Sequence, residues 1–423
     1  MKQLSLFTLI GLLAFSFTSC DKAGNSITVT YQEATAIYGD IEAVRAQPLN
    51  EGPRAVENPG KIYVGSSFIL LGEEEKGVHV INNSDIADPQ FIGFINIPGN
   101  REFFVKDNFL YAETNYDIIK VDVSDLNNIN LVDRAKNIFI ETMTNANGED
   151  LLGFSFKEVT EDIDKDTDFY SNIMNGQAIY YDYARNIIPK SAVPSSFAGN
   201  SNDQSGTVNR ITKSQNHVYI VNSNRMAIID DNSSFELVNN NSVPLTEGTE
   251  TIFPYEDKLF VGSRTSMKIF DAADPREPSP VYTFEHATSC DPVLPTEGIV
   301  YITLRTADFS NCPGNINALV VLDIENLDSP KELEEIAMES PYGMTIVGNM
   351  LFVGEGENGL SIFDITDKKD PKLLKKDEEI KAYDILPHPS NANLILVAGT
   401  DGLSQYTMDG STVDLSINSR IDY

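Results

Sequence analysis

The side chains best suited to chemistry lie at two adjacent positions that recur just before short apolar segments. The first position holds Arg101, Asn209, Glu250, Asp291, Tyr342 and Tyr383. The second position holds Lys61, Glu102, Arg210, Thr251, Pro292, Gly343 and Asp384. Because alternate residues of a strand point to opposite faces, one of the two sets is expected to face a shared interior.

These polar sets fit two kinds of function. Carboxyl groups about 5–10 Å apart could act as acid and base on a carbohydrate; the candidates are Glu102, Glu250, Asp291 and Asp384. The mixture of charges and tyrosines also resembles the few placed polar groups of a binding site; its members are Arg101, Glu250, Asp291, Tyr342 and Tyr383. Neutralisation of the carboxylates by Arg101 and Arg210 would favour binding.

Sequence motifs for catalysis are absent. The chain has no HExxH, GxSxG, phosphate-binding loop or dinucleotide fingerprint, so no cofactor is expected. The histidines share no metal-ligand spacing; they are His79, His217, His286 and His388. A non-enzymatic function is therefore favoured, although an enzyme that gathers residues from separate strands would also lack a local motif.

One acidic segment, Thr160 to Tyr170, has aspartates at alternate positions: Asp162, Asp164, Asp166 and Asp168. A calcium-binding EF-hand loop would require glycine where Thr167 stands and a bidentate glutamate where Ile173 stands. The sequence therefore predicts a solvated acidic loop, with the four aspartates as weak metal candidates and no metal site proper.

The polar positions are carried by a repeat, an apolar five-residue segment that ends in Asp or Asn. Its copies are VHVIN, IIKVD, MAIID, MKIFD, LVVLD, LSIFD and a divergent LSQYT. They recur about every 40 residues, except that 108 residues separate Asp122 from Asp230. A strand repeat of this period predicts an all-β, seven-bladed β-propeller. Six blades with a capping hairpin is the alternative, because LSQYT lacks the aspartate.

The segment from Gly359 to Leu374 shows how one copy is built. Its apolar residues alternate as in a strand. Asp364 can accept hydrogen bonds from backbone amides just downstream and so start a turn. Pro371 cannot donate a ladder hydrogen bond, so an edge strand is expected to follow it.

These copies resemble the LVIVD repeat, and the chain from about Lys61 onward resembles the LVIVD-repeat β-propeller lipoproteins of bacterial envelopes. Longer strings carry the same resemblance: NPGKIYV, INIPGNREF, ETIFPYEDKLFVGS, SCDPV and AYDILP. The resemblance implies a fold and a location in the cell envelope. It implies no reaction.

The N-terminus predicts a lipoprotein. An apolar run from Leu4 to Phe17 follows Lys2 and has the length of a signal peptide. Cys20 follows small residues, as in a lipobox, although Phe17 replaces the usual branched aliphatic residue. We therefore expect a signal peptide over 1–19, lipid on Cys20, and attachment of the protein to the bacterial outer membrane, on its periplasmic or cell-surface face.

The rest of the chain divides into a tether and a propeller. Residues 20–57 form the tether with a strand and short helix, and 58–423 form the propeller. Ile27 to Ala46 could add an outer strand to a blade. The long gap between copies indicates an insertion at about 137–207, a candidate recognition surface because long loops often carry function.

Charge and cysteine content constrain the partners and the compartment. A formal net charge of −32 opposes nucleic acid and anionic membranes as partners, so membrane contact is expected only through the lipid. The expected partner is an envelope protein or an extracellular glycan, bound by a monomer. Cys290 and Cys312 remain as an even pair in an oxidising compartment, and a disulfide between them would stabilise the fold by roughly 3 kcal/mol.

Overall fold

The structure is a computed structural model of the chain. It describes residues 26–114, 116–138, 144–164, 186–189, 210–222, 224–232, 234–238, 242–246, 249–263, 266–285, 293–306, 316–327, 329–400, 402–410 and 412–422. The lipidation candidate Cys20, the predicted cysteine pair Cys290 and Cys312, and Asp166 and Asp168 lie outside these residues.

Seven antiparallel sheets contain nearly all of the described strands. Blade 1 consists of β3 (Pro59–Val64), β4 (Phe68–Glu73), β5 (Gly77–Asn82) and β6 (Gln90–Asn96). Blade 2 consists of β7 (Phe103–Lys106), β8 (Phe109–Glu113), β9 (Ile118–Asp122) and β10 (Asn130–Ala135). Blade 3 consists of β13 (Ile211–Ser214), β14 (His217–Asn222), β15 (Arg225–Asp230), β16 (Glu236–Leu237) and β17 (Val243–Pro244).

The other four blades follow the same order. Blade 4 consists of β18 (Thr249–Tyr255), β19 (Lys258–Ser263), β20 (Ser266–Asp271) and β21 (Ser279–Glu285). Blade 5 consists of β22 (Val293–Thr296), β23 (Ile299–Leu304), β24 (Ala318–Asp323) and β25 (Lys331–Ala337). Blade 6 consists of β26 (Met344–Val347), β27 (Met350–Gly354), β28 (Leu360–Asp364) and β29 (Lys372–Asp377). Blade 7 consists of β30 (Asp384–His388), β31 (Asn391–Gly399), β32 (Gly402–Met408) and β33 (Leu415–Asp422).

The first strand of each blade lies innermost. First strands of most successive blades contact one another, an apolar cluster joins blades 5 and 6, and β30 of blade 7 contacts β3 of blade 1, so the ring closes. The predicted seven-bladed β-propeller is confirmed. The alternative of six blades with a capping hairpin is wrong, because the divergent copy LSQYT lies in β32 at the centre of a complete four-stranded blade.

Burial of the strands follows from face-to-face packing of the blades. The second and third strands are apolar on both faces and almost fully buried, as in β4 and β24, because each sheet has a neighbouring blade on either side. The fourth strands lie at the rim, where β25 is exposed over nearly its whole length and rich in glutamate. Apolar clusters that join consecutive blades make up the core.

The aspartate that ends most copies of the repeat starts the turn to the outer strand. Asp364 accepts a 2.8 Å hydrogen bond from the backbone N–H of Thr366, as predicted. Asp122, Asp271 and Asp323 accept the equivalent bond two residues downstream. The position also joins blades, since Nζ of Lys369 in blade 6 lies 2.8 Å from Oδ2 of Asp323 in blade 5.

Strand direction divides the propeller into two ends. We call the upper face the end that carries the turns between second and third strands and the connections from each blade to the next. In antiparallel blades these segments lie at one end, and the remaining turns lie at the other. The predicted insertion lies in the sequence between β10 of blade 2 and β13 of blade 3.

The N-terminal segment forms a sheet of its own. β1 (Ser26–Gly39) pairs with β11 (Asp150–Asp164) and β12 (Asn186–Pro189). The helix α1 (Ile41–Arg45) follows. The outer strand that Ile27 to Ala46 was expected to supply comes instead from β2 (Asn50–Glu51), which pairs with β6.

The acidic segment is partly a strand rather than a loop. Asp162 and Asp164 belong to β11, where their backbones pair with Thr28 and Ser26 of β1. Strand pairing with β1, which is distant in sequence, overrides the local acidic pattern. Within the described residues, no helix is long and apolar enough to cross a membrane.

Candidate functional site

The two predicted sets of polar residues occupy different environments near the upper end of the inner strands. Of the second set, Lys61, Glu102 and Asp384 are 2%, 7% and 1% exposed, so these three face the interior, whereas Arg210 is exposed. Of the first set, Arg101 is exposed, while Tyr342 and Tyr383 are half-buried. Asn209, Asp291 and Pro292 lie outside the described residues, and of Glu250 only the backbone is described, in β18.

The interior set forms a buried polar cluster across blades 1, 2, 6 and 7. Nζ of Lys61 lies 3.2 Å from Oε1 of Glu102. Asp384 lies close enough for the positive charge of Lys61 to act on it. Gly343 permits this approach, because a Cβ atom there would lie 2.2 Å from Oδ1 of Asp384. The cluster therefore belongs to the seams between blades.

Asp384 is not fully satisfied in this cluster. Its Oδ1 atom is buried and has no hydrogen-bond partner among the described residues, and the same is true of Oγ1 of Thr345. Burial raises the pKa of Asp384 to about 7, against the opposing effects of the Ile385 backbone N–H and of Lys61. At 1% exposure, this carboxyl group is closed to a macromolecular substrate.

A second charged cluster lies at the upper face over blades 1 to 3. Arg101 donates from Nε to Oε1 of Glu75 at 2.5 Å. Burial raises the pKa of Glu113 to about 7; the charge of Arg210 opposes the shift and that of Glu102 adds to it. The arginines thus offset carboxylates here, the arrangement that favours binding over catalysis.

Glu113 was missed by the sequence analysis, although its position offered a signal. It ends the second strand of blade 2, as Glu73 does in blade 1, and Glu355 follows that strand in blade 6. Glu73 accepts hydrogen bonds from the backbone N–H groups of Glu57 and Asn58. Glu355 accepts one from the backbone of Glu339. In these two blades the glutamate holds the chain that enters the first strand, which is a structural function.

The upper face over blades 6 and 7 carries an aromatic pair. The ring centroids of Tyr342 and Tyr383 lie 4.8 Å apart, with the ring planes inclined at 61°. Cζ of Arg305, from blade 5, lies 4.1 Å from the Tyr342 ring centroid. The Tyr383 hydroxyl donates to Oε1 of Glu357 at 3.1 Å. The two polar sets do not include Arg305 and Glu357, because these residues follow second strands rather than precede first strands.

Backbone contacts between blades fix this pair in place. Gly343 donates its N–H to the carbonyl of Tyr383 at 3.1 Å, and Gly356 donates to the carbonyl of Ala382 at 2.7 Å. Gly356 has a φ of +58°, which favours glycine. A Cβ atom at Gly356 would lie 2.7 Å from a ring carbon of Tyr342, so only glycine leaves this space open.

The described histidines show no shared site. His79 is fully buried in β5, and its Nε2 atom lies 3.0 Å from Oε2 of Glu73, whereas Nδ1 has no hydrogen-bond partner among the described residues. His217 and His388 lie in different blades, and His286 lies outside the described residues. The described part of the chain contains no group of three His, Cys, Asp or Glu side chains that could hold a metal.

One segment of the chain matches a known family of repeats. Residues 343–376, which contain most of blade 6, match the family model described as LVIVD repeat. The chain therefore contains the LVIVD repeat in a seven-bladed β-propeller, as the resemblance predicted. No curated protein matches the sequence.

Solved structures share the fold at low sequence identity. The periplasmic gluconolactonase PpgL of Pseudomonas aeruginosa is 10% identical, with a TM-score of 0.51 over 86% of this chain and 96% of that one. BamB of Moraxella catarrhalis is 10% identical, with a TM-score of 0.46 over 81% of this chain and 84% of that one. The computationally designed protein Ika8 is 9% identical, with a TM-score of 0.48 over 86% of this chain and 89% of that one. At such identities the first likeness shows the fold alone, and the other two carry no argument.

Proposed function

We propose that the protein is a non-enzymatic binding scaffold of the bacterial cell envelope, held at the outer membrane by lipid on Cys20. Its upper face binds an envelope protein or an extracellular glycan. The observation that carries the proposal is the Tyr342–Tyr383 pair, in which two half-buried rings from two blades stand together at the surface. Tyrosine is favoured at binding surfaces because its ring gives a large contact area at low conformational cost and its hydroxyl can hydrogen-bond.

The enzymatic alternative receives less support from the side chains that the structure describes. Glu102 is paired with Lys61, and Asp384 is almost fully buried. Neither group is placed to meet a carbohydrate chain at the surface. Glu113, whose pKa is raised to about 7, is the described carboxyl group best suited to donate a proton, so Glu113→Gln should be included in any assay for activity on carbohydrate.

Copurification from native membranes tests the scaffold. The full-length protein is crosslinked in cells, extracted with detergent and isolated, and bound material is identified by mass spectrometry and sugar analysis. A Tyr342→Ala/Tyr383→Ala double variant should lose the bound material and still reach the membrane fraction. Tyr282→Ala is the matched control, because Tyr282 lies on the outer strand of blade 4.

A separate variant tests the proposed attachment to the membrane through lipid on Cys20. Cys20→Ala should release the protein from the membrane fraction while leaving its binding unchanged. Binding that survives the double tyrosine substitution would contradict the proposed binding face. Partition of the Cys20→Ala protein with membranes would contradict the anchor.

A further inference from the structure

We infer that the Tyr342–Tyr383 pair, with Arg305 and Glu357, binds an uncharged pyranose unit of a glycan. The inference rests on the proposed function, because it specifies the ligand class of the same surface. It is carried by the shape of the aromatic pair, the donors and acceptors around it, its rigidity and the charge of the chain.

The aromatic pair offers two surfaces that meet at an angle. With the ring planes inclined at 61° and centroids 4.8 Å apart, a flat ligand can stack on one ring while its edge meets the other. Aromatic faces carry partial negative charge and attract the positive edges of groups placed over them. The C–H face of a pyranose is such a group, whereas an extended peptide backbone would leave its own N–H and C=O groups against the rings.

Polar groups lie around the two tyrosine rings, where the hydroxyl groups of a bound pyranose would be. Cζ of Arg305 lies 4.1 Å from the centroid of the Tyr342 ring, and a guanidinium group carries five N–H donors. Oε1 of Glu357 accepts a hydrogen bond from the Tyr383 hydroxyl, and a carboxylate has further acceptor sites. A donor on one side and an acceptor on the other match the vicinal hydroxyls of a sugar, each of which both donates and accepts.

The site is built before a ligand arrives. The backbone bonds from Gly343 to Tyr383 and from Gly356 to Ala382 cross between blades. Nζ of Lys381 is held by the carbonyls of Glu357 and Glu378 at 2.6 and 2.7 Å, which fixes the base of the turn. Because these groups lose little freedom on binding, a small contact area suffices for measurable affinity.

Charge selects among sugars. A net charge of −32 repels polyanionic glycans at long range, and Glu357 would repel a carboxylate or sulfate at short range. Nζ of Lys381 already binds two carbonyl oxygens, so it is occupied within the turn. The combination favours an uncharged hexopyranose over a uronic acid or a sulfated sugar.

Titration of defined oligosaccharides tests the inference. Detergent-extracted full-length protein is titrated with neutral gluco- and manno-oligosaccharides, oligogalacturonate and chitosan oligomers, and binding is followed by calorimetry and tyrosine fluorescence. We expect a neutral oligosaccharide to bind and Tyr383→Ala to weaken it at least about tenfold. Tyr383→Phe, which keeps the stack and loses the bond to Glu357, should weaken it by less than about fivefold, and Tyr282→Ala should leave it unchanged.

The outcomes separate this inference from the scaffold proposal. Preference for oligogalacturonate or chitosan, or equal binding by wild type and Tyr383→Ala, would overturn the neutral-pyranose site. If no oligosaccharide binds while the crosslinked wild type captures a protein that the double tyrosine variant loses, the glycan inference fails and the scaffold stands. If the double variant captures the same material as the wild type, the scaffold face itself is wrong.

Discussion

Asn83 and Gln405, 322 residues apart in the chain, exchange two side-chain hydrogen bonds across the seam between blades 1 and 7. Asn83 Nδ2 donates to Gln405 Oε1 at 3.0 Å, and Gln405 Nε2 donates to Asn83 Oδ1 at 2.7 Å. Both side chains are buried. Blade 7 is formed wholly by the C-terminal part of the chain, so no shared strand closes this ring. Side-chain contacts between the first and last blades close it instead.

Gln405→Leu should therefore destabilise the protein by about 1–3 kcal/mol, because it leaves the buried amide of Asn83 unpaired. Asn83→Leu/Gln405→Leu should cost less than the sum of the two single changes, since the partners are removed together. Denaturant unfolding measures all three. Asn418→Ala, which removes an exposed amide bonded to Thr407 in the same blade, is the control. Additive single effects would show that the two amides act independently.

A second family of seam bonds comes from tyrosines at one position of the second strand. Tyr219 donates its hydroxyl to the carbonyl of Pro275 at 2.9 Å, and Tyr301 donates to that of Lys368 at 2.8 Å; in each case the acceptor lies in the next blade. Tyr301→Phe should lower the free energy of unfolding by about 1 kcal/mol. The phenylalanine ring of this variant should fit at position 301, because blades 4 and 6 carry Phe260 and Phe352 at the equivalent position. Phe352→Leu is the packing control. A loss above about 3 kcal/mol for Tyr301→Phe would indicate repacking rather than one lost bond.

The sequence predicted blades more completely than it predicted the site. The period of the repeat and its aspartate define the third strand and the turn after it, because both depend on local backbone chemistry. Tyr342 and Tyr383 were found since they align on first strands. The sequence did not predict Arg305, Glu357 and Glu113, because these residues lie at or just after the ends of second strands. The burial of Asp384 depends on how closely two blades approach at Gly343, which no local pattern in the sequence encodes.

Acid should weaken the attachment of α1 to blade 2 at Asp117. Burial alone would raise the pKa of Asp117, but hydrogen bonds from Arg45, Arg134 and the backbone of Asn137 lower it below its usual value. A carboxyl group with a lowered pKa contributes stability above its unfolded-state pKa, near 4, and that contribution is lost as the pH falls through the lower folded-state value.

The Asp117→Asn variant should cost about 3 kcal/mol at pH 7, because it leaves two partly buried guanidinium groups without their carboxylate. Its deficit relative to wild type should shrink below about pH 4, where the wild-type carboxylate is protonated as well. Thermal unfolding from pH 3 to pH 7 measures both effects, with Asp85→Asn on an exposed turn as the control. A deficit that stays constant with pH would mean that the ion pair adds no stability.

The predicted disulfide remains a prediction, and alkylation tests it. Protein taken from its native compartment and denatured without reductant should label at neither Cys290 nor Cys312, and at both after reduction. Cys290→Ser/Cys312→Ser should then lower the free energy of unfolding by roughly 3 kcal/mol under oxidising conditions. Wild-type protein from a reducing cytosol serves as the control and should match the double variant. Labelling of both thiols before reduction would refute the pairing.

Asp384 should make the propeller less stable as the pH rises from about 4 to about 7. Its pKa is raised to about 7 by burial, above the unfolded value of about 3.9, so the folded state holds the proton more tightly in this range. Stability is then greatest when Asp384 is neutral and declines as the carboxylate forms without a hydrogen-bond partner for Oδ1 among the described residues.

The total change is a few kcal/mol, since one unit of pKa difference corresponds to about 1.4 kcal/mol. Asp384→Asn should thus melt well above wild type at pH 8 and above it by a clearly smaller margin at pH 5. Thr345→Val, which removes another buried polar atom without a hydrogen-bond partner among the described residues, should change the melting temperature equally at both pH values. If the gap between Asp384→Asn and wild type is the same at pH 5 and pH 8, Asp384 is ionised throughout and is held by Lys61.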